Sequence, residues 1–250
     1  MEFSSKDKVA LITGASRGIG QAVAIGLAQA GADVVIASRK LPDLEKVAEE
    51  IKKTGRKCLP VAAHIGKMEE ISHLVKKVLE EFGKIDILVN NAATNPTMAS
   101  AMDVDERAWD SIMNLNLKGL FFLSQAVARV MKEKGGGKII NVSSIGGITP
   151  DLLPVYCISK AAVIMATKVM AQQWAPYNIR VNAIAPGLTK TRFSEALWKN
   201  PDILKMAMSR TPLARPADPE EMVGAIIYLA SDASSYVTGQ VIAIDGGATI

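Results

Sequence analysis

Short runs of aliphatic and β-branched residues alternate along the chain with longer amphipathic stretches. Strands buried on both faces give continuous apolar runs, whereas helices repeat apolar positions every three or four residues. The alternation is typical of repeated βα units that build a parallel sheet. The apolar runs predict seven strands, at Val9–Thr13, Asp33–Ala37, Cys58–Ala62, Ile85–Asn90, Lys138–Ser143, Ile179–Ala185 and Val241–Ile244.

The amphipathic stretches between these runs predict crossover helices. Together they indicate an α/β fold, a single doubly wound Rossmann-type domain over residues 1–250. Its seven-stranded parallel sheet would carry helices on both faces. The predicted helices are Ile19–Ala30, Leu41–Thr54, Met68–Phe82, Glu106–Glu133, Val155–Trp174 and Pro219–Ser231.

The segment from Leu188 to Pro216 departs from this pattern, because it is a long insertion after the sixth strand that contains Phe193, Leu197 and Trp198. Ligands bind beyond the carboxyl ends of strands in open α/β sheets, so this position favours a small substrate lid over about 188–216. The alternative is a pair of surface helices whose apolar side packs on the core.

Composition narrows the function classes. The chain is 49% apolar and carries no uninterrupted apolar run of membrane-spanning length, so we expect no membrane association. Its net charge of +4 comes from scattered basic residues, which indicates a solvated surface and no nucleic-acid partner. The polar N-terminus has no signal core, and Cys58 and Cys157 form neither a disulfide framework nor a zinc motif. We expect a cytoplasmic protein with reduced thiols and no metal site.

The first predicted strand runs into a glycine-rich turn, from Thr13 to Gly20, and a helix follows at once. Glycines let a backbone approach a pyrophosphate closely, and a helix N-terminus offers free N–H groups. The candidate phosphate-binding residues are Gly14, Ser16, Arg17, Gly18, Ile19 and Gly20.

The end of the second strand indicates which dinucleotide binds. An NAD site places a carboxylate there, about 20 residues after the loop, to bond the ribose hydroxyl. This chain has Ser38 and Arg39 instead. A hydroxyl and a guanidinium suit a 2′-phosphate, so NADP(H) is the predicted cofactor.

Tyr156 and Lys160 stand four residues apart at the start of a predicted helix and therefore share one face. An adjacent ammonium favours a phenolate and brings a tyrosine toward acid–base work near neutral pH. The pair follows Ser143 and Ser144, which lie at the end of the fifth strand.

These motifs together resemble the short-chain dehydrogenase/reductase family over essentially the whole chain. The Gly-x-x-x-Gly-x-Gly spacing of the first turn, Asn90-Asn91-Ala92 and Tyr-x-x-x-Lys carry the resemblance. It implies hydride transfer between NADP(H) and a carbonyl or alcohol carbon. In the implied chemistry Tyr156 gives or takes the proton of the substrate oxygen. Lys160 lowers the tyrosine pKa and bonds the nicotinamide ribose, and a serine steadies the substrate oxygen.

The resemblance leaves two choices within the site. The usual spacing before the tyrosine selects Ser143, but the sequence Ser-Ser-Ile-Gly-Gly aligns Ser144 with the family's serine. We choose Ser144, because loops tolerate length changes and strand ends do not. Of Asn114 and Asn116 we choose Asn116, in Asn-Leu-Lys-Gly, as holder of a water that relays protons to Lys160.

Further cofactor contacts follow from the same resemblance. His64 stands where the family commonly has an aspartate beside adenine, and a ligand-free capping histidine is the alternative. The implied contacts are His64 and Ile65 at the adenine, Asn91 and Ala92 at the ribose, and Pro186, Gly187, Thr189 and Thr191 at the nicotinamide.

The predicted substrate pocket follows from chain position and is mostly apolar, which favours a small hydrophobic ketone or aldehyde over a sugar. Several stretches resemble carbonyl and retinal reductases of the family. The main alternative is a 3-oxoacyl-[acyl-carrier-protein] reductase, which needs a basic docking surface. A non-catalytic cofactor-binding scaffold is the alternative from another class. The pocket candidates are Asn95, Leu152, Leu153, Phe193 and Trp198, and the docking candidates are Arg129, Lys132, Lys134 and Lys138.

The predicted helix Val155–Trp174 carries more small and apolar residues than one core-facing stripe requires. Family members commonly pair through this helix and Glu106–Glu133, so the resemblance implies a homotetramer.

Overall fold

The computed structural model describes residues 3–250. Its strands form one seven-stranded parallel sheet in the order β3-β2-β1-β4-β5-β6-β7, which confirms the predicted fold class. The order reverses between β1 and β4, and such a reversal opens a crevice at the carboxyl ends of the strands. The strands are β1 Val9–Thr13, β2 Asp33–Ser38, β3 Cys58–Ala62, β4 Ile87–Asn90, β5 Gly137–Val142, β6 Ile179–Pro186 and β7 Val241–Ile244.

Helices cover both faces of the sheet. Neighbouring residues of a strand point to opposite faces, so Leu11 and Ile12 of β1 belong to two separate buried clusters. Leu11 packs with residues of α3, α5 and α6, whereas Ile12 packs with residues of α1, α2 and α9. The helices are α1 Gly18–Gln29, α2 Leu41–Lys52, α3 Met68–Phe82, α4 Glu106–Met113, α5 Leu120–Glu133, α6 Pro154–Trp174, α7 Glu195–Trp198, α8 Pro201–Ser209 and α9 Val223–Ala230.

The helix expected over Glu106–Glu133 is interrupted by a π-helical turn at Asn114–Gly119. A Cβ atom on Gly119 would collide with the backbone carbonyl of Ile65, so the chain passes closely there. Turns of this kind are frequent at functional sites. The last predicted helix also differs, because Pro219–Met222 forms a 3₁₀ turn before α9.

The segment Pro154–Tyr177, which contains α6, is long and apolar enough to span a membrane by length and composition alone. Half of its most apolar stretch is buried inside the protein. Val163 and Met170 of α6 pack in the core against β6, and this packing accounts for much of the apolar character.

The 188–216 segment lies beyond the end of β6 and contains α7 and α8. The indole N–H of Trp198 donates to the Thr191 carbonyl oxygen at 3.0 Å and so connects α7 to the first residues of the segment. The Asn200 side chain caps α8 by accepting from the backbone N–H of Asp202 and Ile203. The two helices close one side of the crevice.

Candidate active site

A cavity of about 840 Å³ opens at the carboxyl ends of the strands. The turn after β1, the ends of β2, β4, β5 and β6, and the 188–216 segment line it. It therefore lies where the reversal of strand order predicts a ligand site.

The glycine-rich turn needs its glycines. Gly14 and Gly18 have φ angles of +64° and +56°, in the left-handed region that side chains disfavour. A Cβ atom on Gly14 would lie 2.8 Å from the Asn91 amide nitrogen. That nitrogen donates to the carbonyl oxygens of Thr13 and Gly14, at 3.0 and 3.1 Å. Asn91 therefore fixes the shape of the turn from the neighbouring strand.

Gly20 has a different role from the other candidates in the turn, because it does not line the cavity. A Cβ atom there would collide with the Gly14 carbonyl. Gly20 lets α1 pack against the turn and so places the helix N-terminus at the cavity. Ser16, Arg17, Gly18 and Ile19 line the cavity directly.

The end of β2 presents groups that suit a phosphate. The Ser38 hydroxyl oxygen is buried and has no hydrogen-bond partner among residues 3–250. Leaving a buried hydroxyl unpaired costs about 1–3 kcal/mol, so a ligand oxygen there would be stabilised. Arg17 and Arg39 line the same part of the cavity and form no ion pair within the described chain. These residues fit a nucleotide that carries a 2′-phosphate.

His64 and Ile65 line the cavity wall beyond β3. The His64 imidazole Nδ1 accepts a hydrogen bond from the Gly66 backbone N–H at 3.1 Å. The His64 backbone N–H donates to the Glu70 carboxylate at 2.6 Å. His64 therefore caps a turn and lines the cavity, and its contact with adenine stays a prediction.

Lys160 is fully buried on α6, and its ammonium donates to the Val142 carbonyl oxygen at 2.7 Å. Burial lowers the Lys160 pKa from 10.5 to about 8, because a charged group loses hydration there. Burial also raises the pKa of the Tyr156 phenol above its ordinary value. The Ser144 hydroxyl lowers it in part through a hydrogen bond, and the Asp151 charge raises it further.

Lys160 is not among the causes of the Tyr156 pKa shift in this arrangement, so the lowering that the resemblance implies stays a prediction. The Lys160 nitrogen lies 5.5 Å from the centre of the tyrosine ring and is directed to Val142. Burial is the larger influence on the phenol. Ser144 is the residue that lowers the Tyr156 pKa.

The two adjacent serines make different contacts. The Ser143 hydroxyl is buried and donates to the Lys160 backbone carbonyl at 2.8 Å. The Ser144 hydroxyl accepts from the Gly146 N–H at 3.1 Å, and its proximity lowers the pKa of the Tyr156 phenol. Ser143 thus joins β5 to α6, and this division supports Ser144 as the serine beside the reacting oxygen.

Asn116 lies in the π-helical turn, is fully buried and does not line the cavity. Its side chain accepts from the Thr94 N–H at 2.8 Å and donates to the Thr94 carbonyl and the Ser159 hydroxyl, both at 3.1 Å. The side chain is therefore occupied in joining the loop after β4 to α6. Its expected role as holder of a water that relays protons to Lys160 stays a prediction.

The loop after β6 brings Pro186, Gly187, Thr189 and Thr191 to the cavity. The Thr189 hydroxyl donates to the Gly187 carbonyl, and the Thr191 hydroxyl is 3.0 Å from that of Ser194. A Cβ atom on Gly18 would lie 3.1 Å from the Thr191 methyl carbon. The loop therefore meets the glycine-rich turn across the cavity.

Three of the five pocket candidates line the cavity: Leu152, Leu153 and Phe193. The Phe193 ring is centred 5.6 Å from the Tyr156 ring, so the 188–216 segment touches the tyrosine. Asn95 and Trp198 do not line it. The Asn95 amide donates to the Thr97 carbonyl at 2.6 Å, and the Trp198 indole donates to Thr191. Both side chains stabilise their own loops.

Comparison with known proteins gives the family. A family model described as Enoyl-(Acyl carrier protein) reductase matches residues 14–249. The 2-dehydro-3-deoxy-D-gluconate 5-dehydrogenase of Dickeya dadantii is 43% identical, over 98% of this chain and 96% of its own. The rabbit (Oryctolagus cuniculus) dehydrogenase/reductase SDR family member 4 is 40% identical, and the match covers 97% of this chain and 94% of the rabbit protein. The chain belongs to the short-chain dehydrogenase/reductase family.

A solved structure agrees with this assignment to the short-chain dehydrogenases/reductases. The gluconate 5-dehydrogenase of Burkholderia cenocepacia, crystallised with NADP and tartrate, superposes with a TM-score of 0.95. It is 36% identical, and the match covers 99% of this chain and 97% of that one.

The cavity of this short-chain dehydrogenase/reductase also contains residues that the sequence interpretation missed. Asp151, Arg192 and Arg210 line it and add charge to a pocket that was expected to be mostly apolar. Asp151 accepts from the Leu153 N–H at 2.8 Å and from the Cys157 thiol at 3.0 Å. Burial raises the pKa of that thiol to about 12. Arg210 directly follows α8 and lies seven residues after Ile203, which also lines the cavity, but that spacing alone does not show which way the helix packs.

Among residues 3–250 of this short-chain dehydrogenase/reductase, no group of three or more His, Cys, Asp or Glu side chains is arranged to hold a metal ion.

Proposed function

We propose that this protein transfers a hydride between NADP(H) and a small carbonyl or secondary alcohol substrate. The observation that carries the proposal is one cavity lined by Ser144, Tyr156 and Lys160 together with the glycine-rich turn. A proton donor thus stands beside a dinucleotide-sized cleft, and reduction of a carbonyl needs both.

Support for NADP(H) comes from Ser38, Arg17 and Arg39, since an unpaired hydroxyl and two guanidinium groups suit the 2′-phosphate. The Burkholderia cenocepacia relative was crystallised with NADP. The bound cofactor would supply or accept the hydride. His64, Ile65, Asn91 and Ala92 would line its adenosine side, and the loop from Pro186 to Thr191 its nicotinamide side.

Two hydroxyl groups act on the substrate oxygen, one by proton transfer and the other by hydrogen bonding. In reduction the Tyr156 phenol donates its proton to the carbonyl oxygen as the hydride reaches the carbon, and in oxidation it takes the proton back. The Ser144 hydroxyl donates a hydrogen bond to the same oxygen and stabilises its developing charge. Lys160 would bond the ribose hydroxyls and hold a positive charge near the phenolate.

A 3-oxoacyl-[acyl-carrier-protein] reductase is the second candidate, because the matching family model is described by acyl-carrier chemistry. Two of the expected docking residues have other contacts. Lys138 pairs with Asp232 at 3.0 Å, and the Lys132 nitrogen lies 4.1 Å from the Tyr177 ring centre. These contacts favour a free small molecule as substrate. A non-catalytic scaffold is disfavoured because both Tyr156 and Lys160 are present.

A substrate panel tests the proposal. NADPH and NADH oxidation would be followed with aromatic ketones, α-diketones, retinal, 2-dehydro-3-deoxy-D-gluconate and a 3-oxoacyl thioester. We expect NADPH-dependent turnover of a free carbonyl compound. Turnover of the thioester alone would select the second candidate, and a preference for NADH would refute the cofactor assignment.

We also propose a cytoplasmic homotetramer built on a single domain, with residues 188–216 as the substrate lid. Ile158, Met165 and Val169 of α6 are exposed apolar residues, and Phe122 of α5 is another, so these helices offer a face for association. Both cysteines are free thiols, as in a reducing compartment. A monomeric mass by light scattering would refute the assembly.

A further inference from the structure

The lid presents one face of a helix to the cavity. Ile203, Met206 and Ala207 line it from one face of α8, and Arg210, the exposed residue directly after the helix, continues their spacing. The face is apolar along its length and ends in a guanidinium. A lid that only excluded water from an apolar substrate would not need a charge there.

Of the four lid cations that lie outside this cavity, three have acidic partners among residues 3–250 and Lys205 has none. Lys199 pairs with Glu195, and Lys190 with Asp218 at 3.6 Å. Arg215, absent from the lining of this cavity, pairs with Glu221 at 2.7 Å. Lys205 is exposed on α8 and does not line the cavity.

Arg192 and Arg210, which do line the cavity, form no ion pair with any residue from 3 to 250. Arg192 directly follows Thr191, whose methyl group lies beside Gly18 of the glycine-rich turn. Arg192 is therefore close to the part of the cavity in which the cofactor phosphates would bind. Arg210 lines the cavity from the residue directly after α8, and its side chain is exposed. A planar guanidinium binds a carboxylate through two parallel hydrogen bonds.

We propose that Arg210 binds a carboxylate of the substrate, so that the substrate is a small oxo acid or the corresponding hydroxy acid. The inference rests on the proposed function and adds the charge of the substrate to it. Leu152, Phe193 and Leu197 would contact the carbon chain between the carboxylate and the reacting carbon.

The test compares each acid with its own methyl ester, which keeps the carbonyl and removes the charge. Acetoacetate, levulinate and benzoylformate are the first pairs, followed by any carbonyl acid that the enzyme reduces with NADPH. The variants are Arg210→Gln, Arg210→Lys and, as matched control on the same helix, Lys205→Gln. Thermal unfolding of each variant separates a folding defect from a loss of recognition.

We expect the wild-type protein to prefer the acid. Arg210→Gln should lower kcat/KM for the acid about 10- to 100-fold, the effect of losing a charged hydrogen-bonded pair, and leave the ester unchanged. Arg210→Lys should recover part of the loss, and Lys205→Gln should keep the wild-type ratio.

Equal losses for acid and ester in Arg210→Gln would overturn the proposal and assign Arg210 to the stability of the C-terminal end of α8. A wild-type preference for the esters would also overturn it, while leaving NADP(H)-dependent carbonyl reduction intact. Failure to reduce any carbonyl compound with NADPH would overturn the proposed function and this inference together.

Discussion

The Ser143 hydroxyl donates a 2.8 Å hydrogen bond to the backbone carbonyl of Lys160. A second bond runs the other way, from the Lys160 ammonium to the Val142 carbonyl at 2.7 Å. The end of β5 and the first turns of α6 are therefore joined at two points. This junction fixes where Lys160 and Tyr156 stand, and it leaves the hydroxyl of Ser144, the next residue, free of α6 and able to lower the pKa of the phenol.

Replacing each serine separately should distinguish these roles. Ser144→Ala should lower kcat about 100-fold or more, because it removes a hydrogen bond to the charge that develops on the substrate oxygen. Ser143→Ala should instead lower the free energy of unfolding by about 1 kcal/mol, since it loses one buried hydrogen bond. Steady-state kinetics and urea unfolding of both variants check this. The reverse pattern would assign catalysis to Ser143.

Tyr156→Phe should abolish most of the turnover while NADPH still binds. Removal of a general acid costs about 10²- to 10⁴-fold in rate. The ring that contacts Phe193 is kept, so the cavity should retain its shape. Nucleotide binding by calorimetry should match the wild-type protein. Full activity in this variant would refute the proposed proton donor.

The buried Lys160 should make the stability of the ligand-free protein depend on pH. Its pKa is about 8 in the folded protein and 10.5 ordinarily. Between these values the unfolded chain binds more protons, so the contribution of this residue to the free energy of unfolding rises with pH. We subtract the free energy of unfolding of Lys160→Met from that of the wild-type protein. From pH 8 to pH 10 we expect this difference to rise by about 1–2 kcal/mol.

Urea unfolding of both proteins at pH 8, 9 and 10 measures this difference. Cys58 and Cys157 oppose the trend, because burial raises the pKa of each thiol from 9.0 to about 12 and their contribution to stability falls in alkali. Both proteins retain these thiols, so subtraction removes their effect. A difference that stays constant with pH would show that Lys160 keeps its ordinary pKa.

The 2′-phosphate site should respond to Arg39 and Ser38. Arg39→Gln should raise KM for NADPH about 10-fold or more and leave KM for NADH unchanged, because only NADPH carries the phosphate. Ser38→Asp should shift preference toward NADH, since a carboxylate repels the phosphate and bonds a ribose hydroxyl. Equal effects on both nucleotides would place these residues elsewhere than at the 2′ position.

The sequence by itself determined the sheet and the residues at its carboxyl edge. Apolar runs separated by amphipathic stretches specify parallel strands and crossover helices, and the carboxyl ends of parallel strands must meet at one edge. Gly14 and Ser38 follow neighbouring parallel strands and therefore had to face one crevice. Tyr156 and Lys160 stand four residues apart in one helix and therefore had to share a helix face.

Tertiary structure decided the contacts between segments that lie far apart in the chain. The close approach of Ile65 to Gly119 accompanies the π-helical turn within the predicted helix, and Asn116 in that turn bonds to Thr94 and Ser159. The presence of Arg192 and Arg210 at the cavity depended on how the 188–216 segment folds, with Phe193 against Tyr156. Ile203, Met206 and Ala207 line the cavity because α8 packs with that face inward, which brings Arg210, directly after the helix, to the cavity as well. No local pattern fixes the direction in which a helix of nine residues will pack.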